Sequence, residues 1–196
     1  MTKRTMTTMM ATPRQQKVLT SPIRLEILGQ FTSPGGMSIA EVAARMGRSP
    51  GSLYYHFRIL EEAGILRQAG MRSGIKKGET LFEPVARSFE YPAPKSEPSL
   101  RTLLRTMSLA FRMTERDLEA AVRGDTARYE GKDRNFFATR MHCRLTKKTL
   151  VEINHHLEAI LKILGRETQR KKLPPDADQY CSLTIALLPL RGREQG

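Results

Sequence analysis

The sequence has few cysteines and no long apolar run, and each shortage excludes a class of protein. Two cysteines, Cys143 and Cys181, are too few for a disulfide-stapled scaffold and indicate a reducing compartment, so a cytoplasmic protein is expected. No apolar run approaches the roughly 18 residues that a membrane-spanning helix requires, so no membrane partner is expected. The first residues lack the apolar segment of a secretory signal, and residues 1–14 are predicted to form a disordered arm.

Acidic residues are outnumbered by basic ones. The chain carries 33 lysines and arginines against 20 aspartates and glutamates, which gives a formal net charge of +13 at pH 7. Such an excess favours a polyanionic partner, because basic side chains that neutralise phosphates release condensed counterions. The alternative is an ordinary soluble surface with a basic bias. The excess divides almost evenly between the two halves of the chain, so charge alone does not locate a binding domain.

Signatures of catalysis and of metal binding are also missing. The chain has no GxSxG elbow, no Walker-type glycine loop, no HExxH pair and no paired carboxylates suited to one helix face. Besides the two cysteines, the candidate ligands outside residues 38–66 are His142, His155 and His156, and neighbouring residues point in different directions on a strand or a helix. We therefore expect no enzyme, no bound metal and no other cofactor.

Residues 38–66 carry the most informative pattern in the chain, which predicts two short helices joined by a tight turn. Ser38 and Glu41 have the S-x-x-E spacing of a capping box, which starts a helix. Gly47 is predicted to end this helix, because glycine adopts the left-handed conformation there with little strain. Ser49 is predicted to cap the second helix, and a proline follows in the first helical position.

The second helix has two kinds of face. Apolar residues at helical spacing are predicted to face the core, and these are Leu53, Phe57, Leu60 and Ala63. Polar and aromatic side chains remain on the other faces of the N-terminal half. A helix-turn-helix uses this part of its second helix to contact base edges in the major groove.

Two runs within this region, SPIRLEIL (21–28) and GSLYYHFRILEEAGIL (51–66), resemble the ArsR-like winged helix-turn-helix of bacterial and archaeal transcriptional regulators. The resemblance covers about residues 15–88. It implies a winged helix-turn-helix domain and a sequence-specific regulator whose partner is double-stranded DNA. The alternative is a winged helix that serves protein contacts, or one that binds nucleic acid without sequence preference.

The wing of such a domain is predicted from two short strands, 65–68 and 80–84, around a glycine-rich basic loop over about 69–79. Three side chains of this loop, Arg72, Lys76 and Lys77, are expected to contact flanking backbone phosphate or an adjacent minor groove. A solvated loop without a DNA contact is the alternative.

The recognition helix, about 49–63, is expected to lie in the major groove. The candidate DNA-binding residues of this helix and the preceding turn are Arg48, Ser49, Ser52, Tyr54, Tyr55, His56 and Arg58. Adjacent tyrosines cannot share a helix face, so one is expected to pack, and Tyr55 is favoured for the DNA contact. His56 either contacts DNA or packs against the first helix, and Arg58 reaches either a guanine edge or a phosphate.

A proline-rich segment, 89–98, is predicted to be a semi-rigid linker between two domains. It precedes a predicted helix from Ser99 to Arg123, in which seven residues recur in alternating steps of four and three, the spacing of a coiled-coil seam. The seam residues are Leu100, Leu104, Met107, Phe111, Thr114, Leu118 and Ala121. The seam pairs two subunits of a homodimer or packs within one chain, and the sequence leaves both open.

Residues 99–196 are predicted to form a dimerisation or effector domain that contains a β-α-β unit. Its expected elements are a strand over 136–145, a helix that starts at Thr146 and a last strand over 180–188. An unknown small-molecule effector is a further expected partner of this half. The predicted fold class is α+β: an N-terminal winged helix-turn-helix, a long helix and a small C-terminal β-α-β domain.

Overall fold

The computed structural model of the chain describes residues 6–32, 35–72, 78–168, 174 and 179–190. Its strands are β1 (Met6–Met10), β2 (Leu66–Arg72), β3 (Glu79–Pro84) and β4 (Ala86–Glu90). Its α-helices are α1 (Pro13–Val18), α2 (Pro22–Gly29), α3 (Ile39–Arg45), α4 (Tyr54–Glu62), α5 (Glu97–Arg123) and α6 (Lys147–Thr168). The chain divides into unit 1, Met1–Leu109 with Met141–Ala177, and unit 2, Ala110–Arg140 with Asp178–Gly196.

The N-terminal arm is an ordered part of unit 1 from residue 6 onwards. Strand β1 pairs in parallel with β4, and the hydroxyl oxygens of Thr8 and Ser88 lie 2.9 Å apart across the pair. Helix α1 follows directly, behind a capping box in which Thr12 bonds reciprocally with Gln15. The prediction of disorder is therefore wrong for residues 6–14, because the partner strand lies 80 residues further along the chain and no local pattern reveals it. Residues 1–5 lie outside the described part.

The core of unit 1 is shared by the first four helices and the β2–β3 sheet. Helix α4 contributes three buried side chains to it, Leu53 at its start and Phe57 and Leu60 on its inner face, which are 0%, 1% and 0% exposed. The helical spacing predicted these positions correctly. The other buried members of the core are Leu19, Ile27, Phe31, Met37, Val42, Ala43, Ile65, Leu66 and Phe82.

The predicted wing is present as the antiparallel pair β2–β3. Gly64 ends α4 with φ +66° and turns the chain into β2. Strand β3 also pairs with Met37 in front of α3: Met37 N–H donates to the Phe82 carbonyl at 2.9 Å, and the return bond measures 2.8 Å. Strand β2 reaches Arg72, four residues beyond the predicted end at Gln68. The pairing of Met37 with Phe82 attaches the wing to the two-helix motif.

The proline-rich segment starts later than predicted and does not coincide with the division of the chain into units. Residues 89–90 belong to β4, and the division falls within α5, after Leu109. The reason is that the first part of α5 belongs to unit 1, where Thr106 is 2% exposed and hydrogen-bonds with Tyr91.

Helix α5 begins at Glu97, two residues before the start predicted at Ser99. Ser96 is its N-cap, because its hydroxyl accepts the N–H of Ser99 at 3.4 Å while the Ser99 hydroxyl accepts the N–H of Ser96 at 3.0 Å. The buried residues of α5 are Thr106 and Leu109, neither of which belongs to the predicted seam. The seam therefore lies on a different face of the helix.

The predicted β-α-β unit is not formed among the described residues. Its helix exists as α6, where the Thr146 hydroxyl accepts the N–H of Thr149 at 3.1 Å. Neither predicted strand, 136–145 or 180–188, has regular secondary structure. Parallel strands require burial on both faces, whereas the first segment carries charged side chains at Arg140 and Arg144. In the described part, neither α5 nor α6 contains a stretch apolar enough to cross a membrane.

Unit 2 combines the C-terminal part of α5 with a closed loop and the segment 179–190. Asn135 closes the loop, because its Oδ1 accepts the N–H of Arg128 at 2.7 Å and its Nδ2 donates to the Thr126 carbonyl at 2.9 Å. The hydroxyls of Thr114 and Thr184 lie 2.7 Å apart, so the segment runs against α5.

The cap of α3 gives a direct test of this local structure. Ser38→Ala is expected to lower the free energy of unfolding by about 1 kcal/mol, because the Ser38 hydroxyl accepts the N–H of Glu41 at 3.2 Å. Ser49→Ala is the matched control, since Ser49 makes no side-chain cap bond and its loss should change stability by less than about 0.5 kcal/mol. Urea unfolding of both variants measures the difference, and equal losses would contradict the assigned caps.

Candidate nucleic-acid interface

The two-helix motif is built from a capped helix, a glycine turn and a second helix with a tight start. Ser38 and Glu41 complete the predicted capping box, in which the Ser38 N–H donates to the Glu41 carboxylate at 2.8 Å. Gly47 has φ +62°, the left-handed conformation predicted for it. Ser49 is the N-cap residue in front of Pro50, as predicted, but the helix that begins there is one 3-10 turn, residues 50–52, before α4. The Ser49 hydroxyl makes no cap bond, and its carbonyl accepts a bond from the Ser52 hydroxyl at 2.7 Å.

Helix α4 exposes aromatic and basic side chains on the side away from the core. Tyr54 is 61% exposed and Tyr55 is 57% exposed. The expectation that one of these tyrosines packs in the core is therefore wrong, because Leu53 and Phe57 already occupy the inner face. The guanidinium carbon of Arg58 lies 5.7 Å from the centre of the Tyr55 ring, a cation–π distance.

Arg58 remains accessible despite its contacts. Its side chain is 66% exposed, and its Nε lies 3.8 Å from the Glu62 carboxylate one turn further along α4. An exposed pair at this distance contributes little to stability, so a competing anion or base edge can replace it. Tyr55 and Arg58 thus present an aromatic ring and a guanidinium side by side on one exposed surface.

His56 has a different environment from its neighbours. It is half-buried, and its ring meets Tyr55 edge to face at 5.5 Å between centroids. Partial burial lowers the pKa of His56, and the positive charges of Arg24 and Arg48 lower it further. Both effects favour the neutral form of the imidazole in the folded chain.

The turn before α4 places further polar groups beside this surface. Arg48 points back to α2, with its Nη2 3.7 Å from the Glu26 carboxylate. Ser49 and Ser52 are both exposed. Arg24 was not among the residues selected from the sequence, although its charge acts on His56. Its only sequence signal was its position in the SPIRLEIL run of α2.

Arg72 lies at the end of β2, where its side chain forms an ion pair. Its Nη1 lies 2.6 Å from Glu41 Oε1, so one carboxylate joins the α3 cap to the end of β2. Lys76 and Lys77, the other predicted wing contacts, lie outside the described residues.

Comparison with known families agrees with this geometry. Residues 19–69 match the family described as a helix-turn-helix domain. This segment is a helix-turn-helix domain. Many domains of this type bind DNA. The β2–β3 wing follows the helix-turn-helix directly in the chain. The match covers about a quarter of the chain, and no curated protein matches it.

Metal ligands do not cluster in the described part of the chain. No three histidine, cysteine, aspartate or glutamate side chains there come close enough to hold one ion. Cys143 and Cys181 are free thiols on exposed residues.

Glu41 gives the helix-turn-helix domain a testable acid sensitivity. The Ser38 N–H lowers the pKa of Glu41 most, and the hydrogen bond from Arg72 lowers it further. The ionised form is thus favoured in the folded state, so its stabilisation is present above the ordinary carboxyl pKa of about 4.3 and is lost as pH falls through the lowered value. Glu41→Gln is expected to cost no more than about 1 kcal/mol at pH 7, because the pair is half-exposed.

Urea unfolding from pH 7 to pH 2 measures this effect. The stability difference between the parent protein and Glu41→Gln should shrink as the pH falls below about 4. Glu119→Gln on the exposed surface of α5 is the control, and its difference should stay within about 0.5 kcal/mol throughout. A Glu41→Gln difference that is constant with pH would show that the charge of Glu41 contributes nothing.

Proposed function

We propose that the chain is a sequence-specific DNA-binding transcriptional regulator of the ArsR-like winged-helix type, acting in the cytoplasm as a homodimer. The observation that carries this proposal is the exposed surface of α4 formed by Tyr54, Tyr55 and Arg58. It lies away from the buried inner face that Leu53, Phe57 and Leu60 form. A helix presented in this way fits the major groove, whose width admits one α-helix. The proposal is one of binding, without a catalytic step.

In the proposed mechanism the recognition helix, about 49–63, reads bases while neighbouring groups bind the backbone. Arg58 reaches a guanine edge, because a guanidinium matches the O6 and N7 acceptors of guanine. Tyr54 and Tyr55 flank it, and Arg48, Ser49 and Ser52 lie at the N-terminal end where a phosphate passes. These contacts orient the helix, whereas Arg58 supplies the sequence preference.

The wing, about 69–79, is proposed to contact the flanking backbone. Lys76 and Lys77 are the proposed phosphate contacts. Arg72 has a second role that its ion pair supports: it holds the wing against α3 through Glu41. Its contribution to DNA affinity would then come mainly through the position of the wing.

The homodimer is proposed from the seam of α5. Four of its large apolar side chains are exposed in the single chain, with Leu100, Leu104, Phe111 and Leu118 at 36%, 56%, 46% and 42%. The alternative of packing within one chain would bury these residues, whereas α5 buries Thr106 and Leu109 instead. A second copy that pairs along this seam would hold two recognition helices on successive major grooves, about 34–36 Å apart.

Binding to two duplexes of equal length tests the proposal, one from the region upstream of the gene and one with the same bases scrambled. We expect the upstream duplex to bind about 10³–10⁷-fold more tightly at physiological salt. Equal affinity that falls steeply with salt would instead indicate a non-specific nucleic-acid binder. Absence of binding to either duplex would indicate a winged helix that serves protein contacts.

A further inference from the structure

The side chain of Gln15 joins helix α1 to the end of helix α4. Gln15 is 6% exposed, and its Nε2 donates to the Ala63 carbonyl at 3.1 Å and to the Gly64 carbonyl at 3.4 Å. Its Oε1 accepts the N–H of Thr12 at 2.9 Å, within the capping box of α1. One end of the amide therefore holds α1, and the other holds a position 48 residues further along the chain.

The two carbonyls that accept from Gln15 belong to the turn between α4 and the wing. Ala63 is the C-cap of α4, and Gly64 follows it with φ +66°. The Gly64 N–H donates to the Glu61 carbonyl at 2.8 Å. The Ile65 N–H donates to the Leu60 carbonyl at 2.9 Å, and β2 begins directly after Ile65. A movement at this turn therefore changes the angle between the recognition helix and the wing.

The neighbouring Gln16 shows that burial of a glutamine on α1 does not by itself produce this contact. Gln16 is also 6% exposed, but its Nε2 donates to the Ala11 carbonyl at 2.9 Å, five residues earlier in the chain. The last carbonyls of a helix lack partners within the helix, so a donor from another segment can fix the helix end in place. Gln15 supplies such a donor to α4.

We propose that Gln15 is a positioning residue for DNA reading, which holds the recognition helix and the wing at the angle that lets both contact one duplex. This inference rests on the proposed function, because it assumes that α4 reads bases. Gln15 lies outside residues 19–69, the segment that matches the helix-turn-helix family. The N-terminal segment of the chain thereby becomes part of the DNA-reading unit.

The loss of this contact is expected to reduce sequence preference more than general affinity. Base contacts require a fixed helix position, whereas non-specific binding depends on charge and tolerates many orientations. Affinity falls in proportion as the binding-competent conformation loses population. One net hydrogen bond shifts an equilibrium by about 2–13-fold, so the upstream duplex should bind more weakly by about this factor and the scrambled duplex by less than about twofold.

The first experiment measures the affinities of both duplexes for the parent protein, Gln15→Glu and Gln16→Glu, at a temperature where circular dichroism shows each to be folded. Glutamate at position 15 keeps the acceptor that caps α1 but loses the amide donor to α4. Gln16→Glu is the matched control, since it makes the same change at an equally buried neighbour.

Only Gln15→Glu is expected to lose preference for the upstream duplex. A preference that Gln15→Glu keeps in full would overturn the proposal, and so would an equal loss in Gln16→Glu.

A second variant and a measurement without DNA keep the test valid if Gln15→Glu does not fold. Gln15→Met removes the same donor without placing a charge in the interior. The amide hydrogens of Gly64 and Ile65 are expected to exchange faster with solvent in this variant than in the parent protein, because the turn that they close opens more often. The amide of Phe57, which donates to the Leu53 carbonyl at 2.9 Å, is the internal reference. Unchanged exchange at Gly64 and Ile65 would overturn the proposal.

The outcomes separate this inference from the proposed function. A preference of the parent protein that both Gln15 variants retain overturns the role of Gln15 and leaves the regulator intact. A preference that the Gln15 variants lose and Gln16→Glu keeps supports both. Equal binding of the two duplexes by the parent protein, or binding to neither, overturns both, because there is then no sequence reading for Gln15 to position.

Discussion

Replacement of Phe57 by alanine is expected to lower the free energy of unfolding of the helix-turn-helix domain by about 3–5 kcal/mol. Phe57 is 1% exposed, and its ring centre lies 6.5 Å from that of Phe31 and 5.1 Å from that of Phe82. These contacts join α4 to the segment after α2 on one side and to the wing on the other. Loss of the ring leaves a cavity at the point where the three elements meet.

Tyr54→Ala is the control for this substitution. It removes an aromatic ring from the same helix, but the ring is 61% exposed, so stability should change by less than about 0.5 kcal/mol. Denaturant unfolding measures the stability of both variants. Helix content and the loss of the β2–β3 wing are the two signals. Similar losses for Tyr54→Ala and Phe57→Ala would show that the faces of α4 are assigned wrongly.

A charge placed in the α5 seam is expected to reduce affinity for a two-fold symmetric duplex by about 10²–10⁴-fold, the advantage that linked binding provides. Leu104→Glu is the variant, because Leu104 is 56% exposed in the single chain and its replacement should leave the monomer folded. In a dimer the two carboxylates would face each other within an apolar seam. The variant should therefore be monomeric by sedimentation and should bind a single half-site as the parent monomer does.

Ala120→Glu introduces the same charge on α5 at an exposed position outside the seam. It is expected to remain dimeric and to keep its affinity for the symmetric duplex. If Leu104→Glu also remains dimeric, the seam does not form the subunit interface and the proposed arrangement of two recognition helices is wrong.

The features of the fold that local signals encode were predicted from the sequence. The capping box of Ser38 and Glu41, the turn at Gly47 and the inner face of α4 each depend on residues within one or two helical turns. The length of α5 follows from the same kind of periodicity. The strand β1 was missed because its partner is 80 residues away, and two C-terminal strands were predicted from apolar composition without a partner to pair with.

The candidate site also combines features that local sequence signals predict with features that depend on distant parts of the chain. Helical spacing identified the exposed residues of α4, but it could not show that both tyrosines are exposed or that the helix after Ser49 begins as a 3-10 turn. The environments of Arg72 and His56 depend on segments that are distant in the chain. Arg72 meets a carboxylate 31 residues earlier in the chain, and the charge of Arg24 on α2 adds to the effect of burial in lowering the pKa of His56. Such pairings follow from the packing of the helices and the wing, which no local pattern contains.

Comparison of parent protein and Arg58→Ala on the upstream and scrambled duplexes tests most directly whether α4 reads DNA sequence. We expect Arg58→Ala to weaken binding of the upstream duplex by about 1–3 kcal/mol, or roughly 5–150-fold, with little effect on the scrambled one. Arg101→Ala is the control, because Arg101 is also exposed and paired one turn away, with Glu97 on α5. It should leave the ratio of the two affinities unchanged. An Arg58→Ala variant that keeps the full preference, or that loses affinity equally for both duplexes, would contradict the assignment of α4 as the recognition helix.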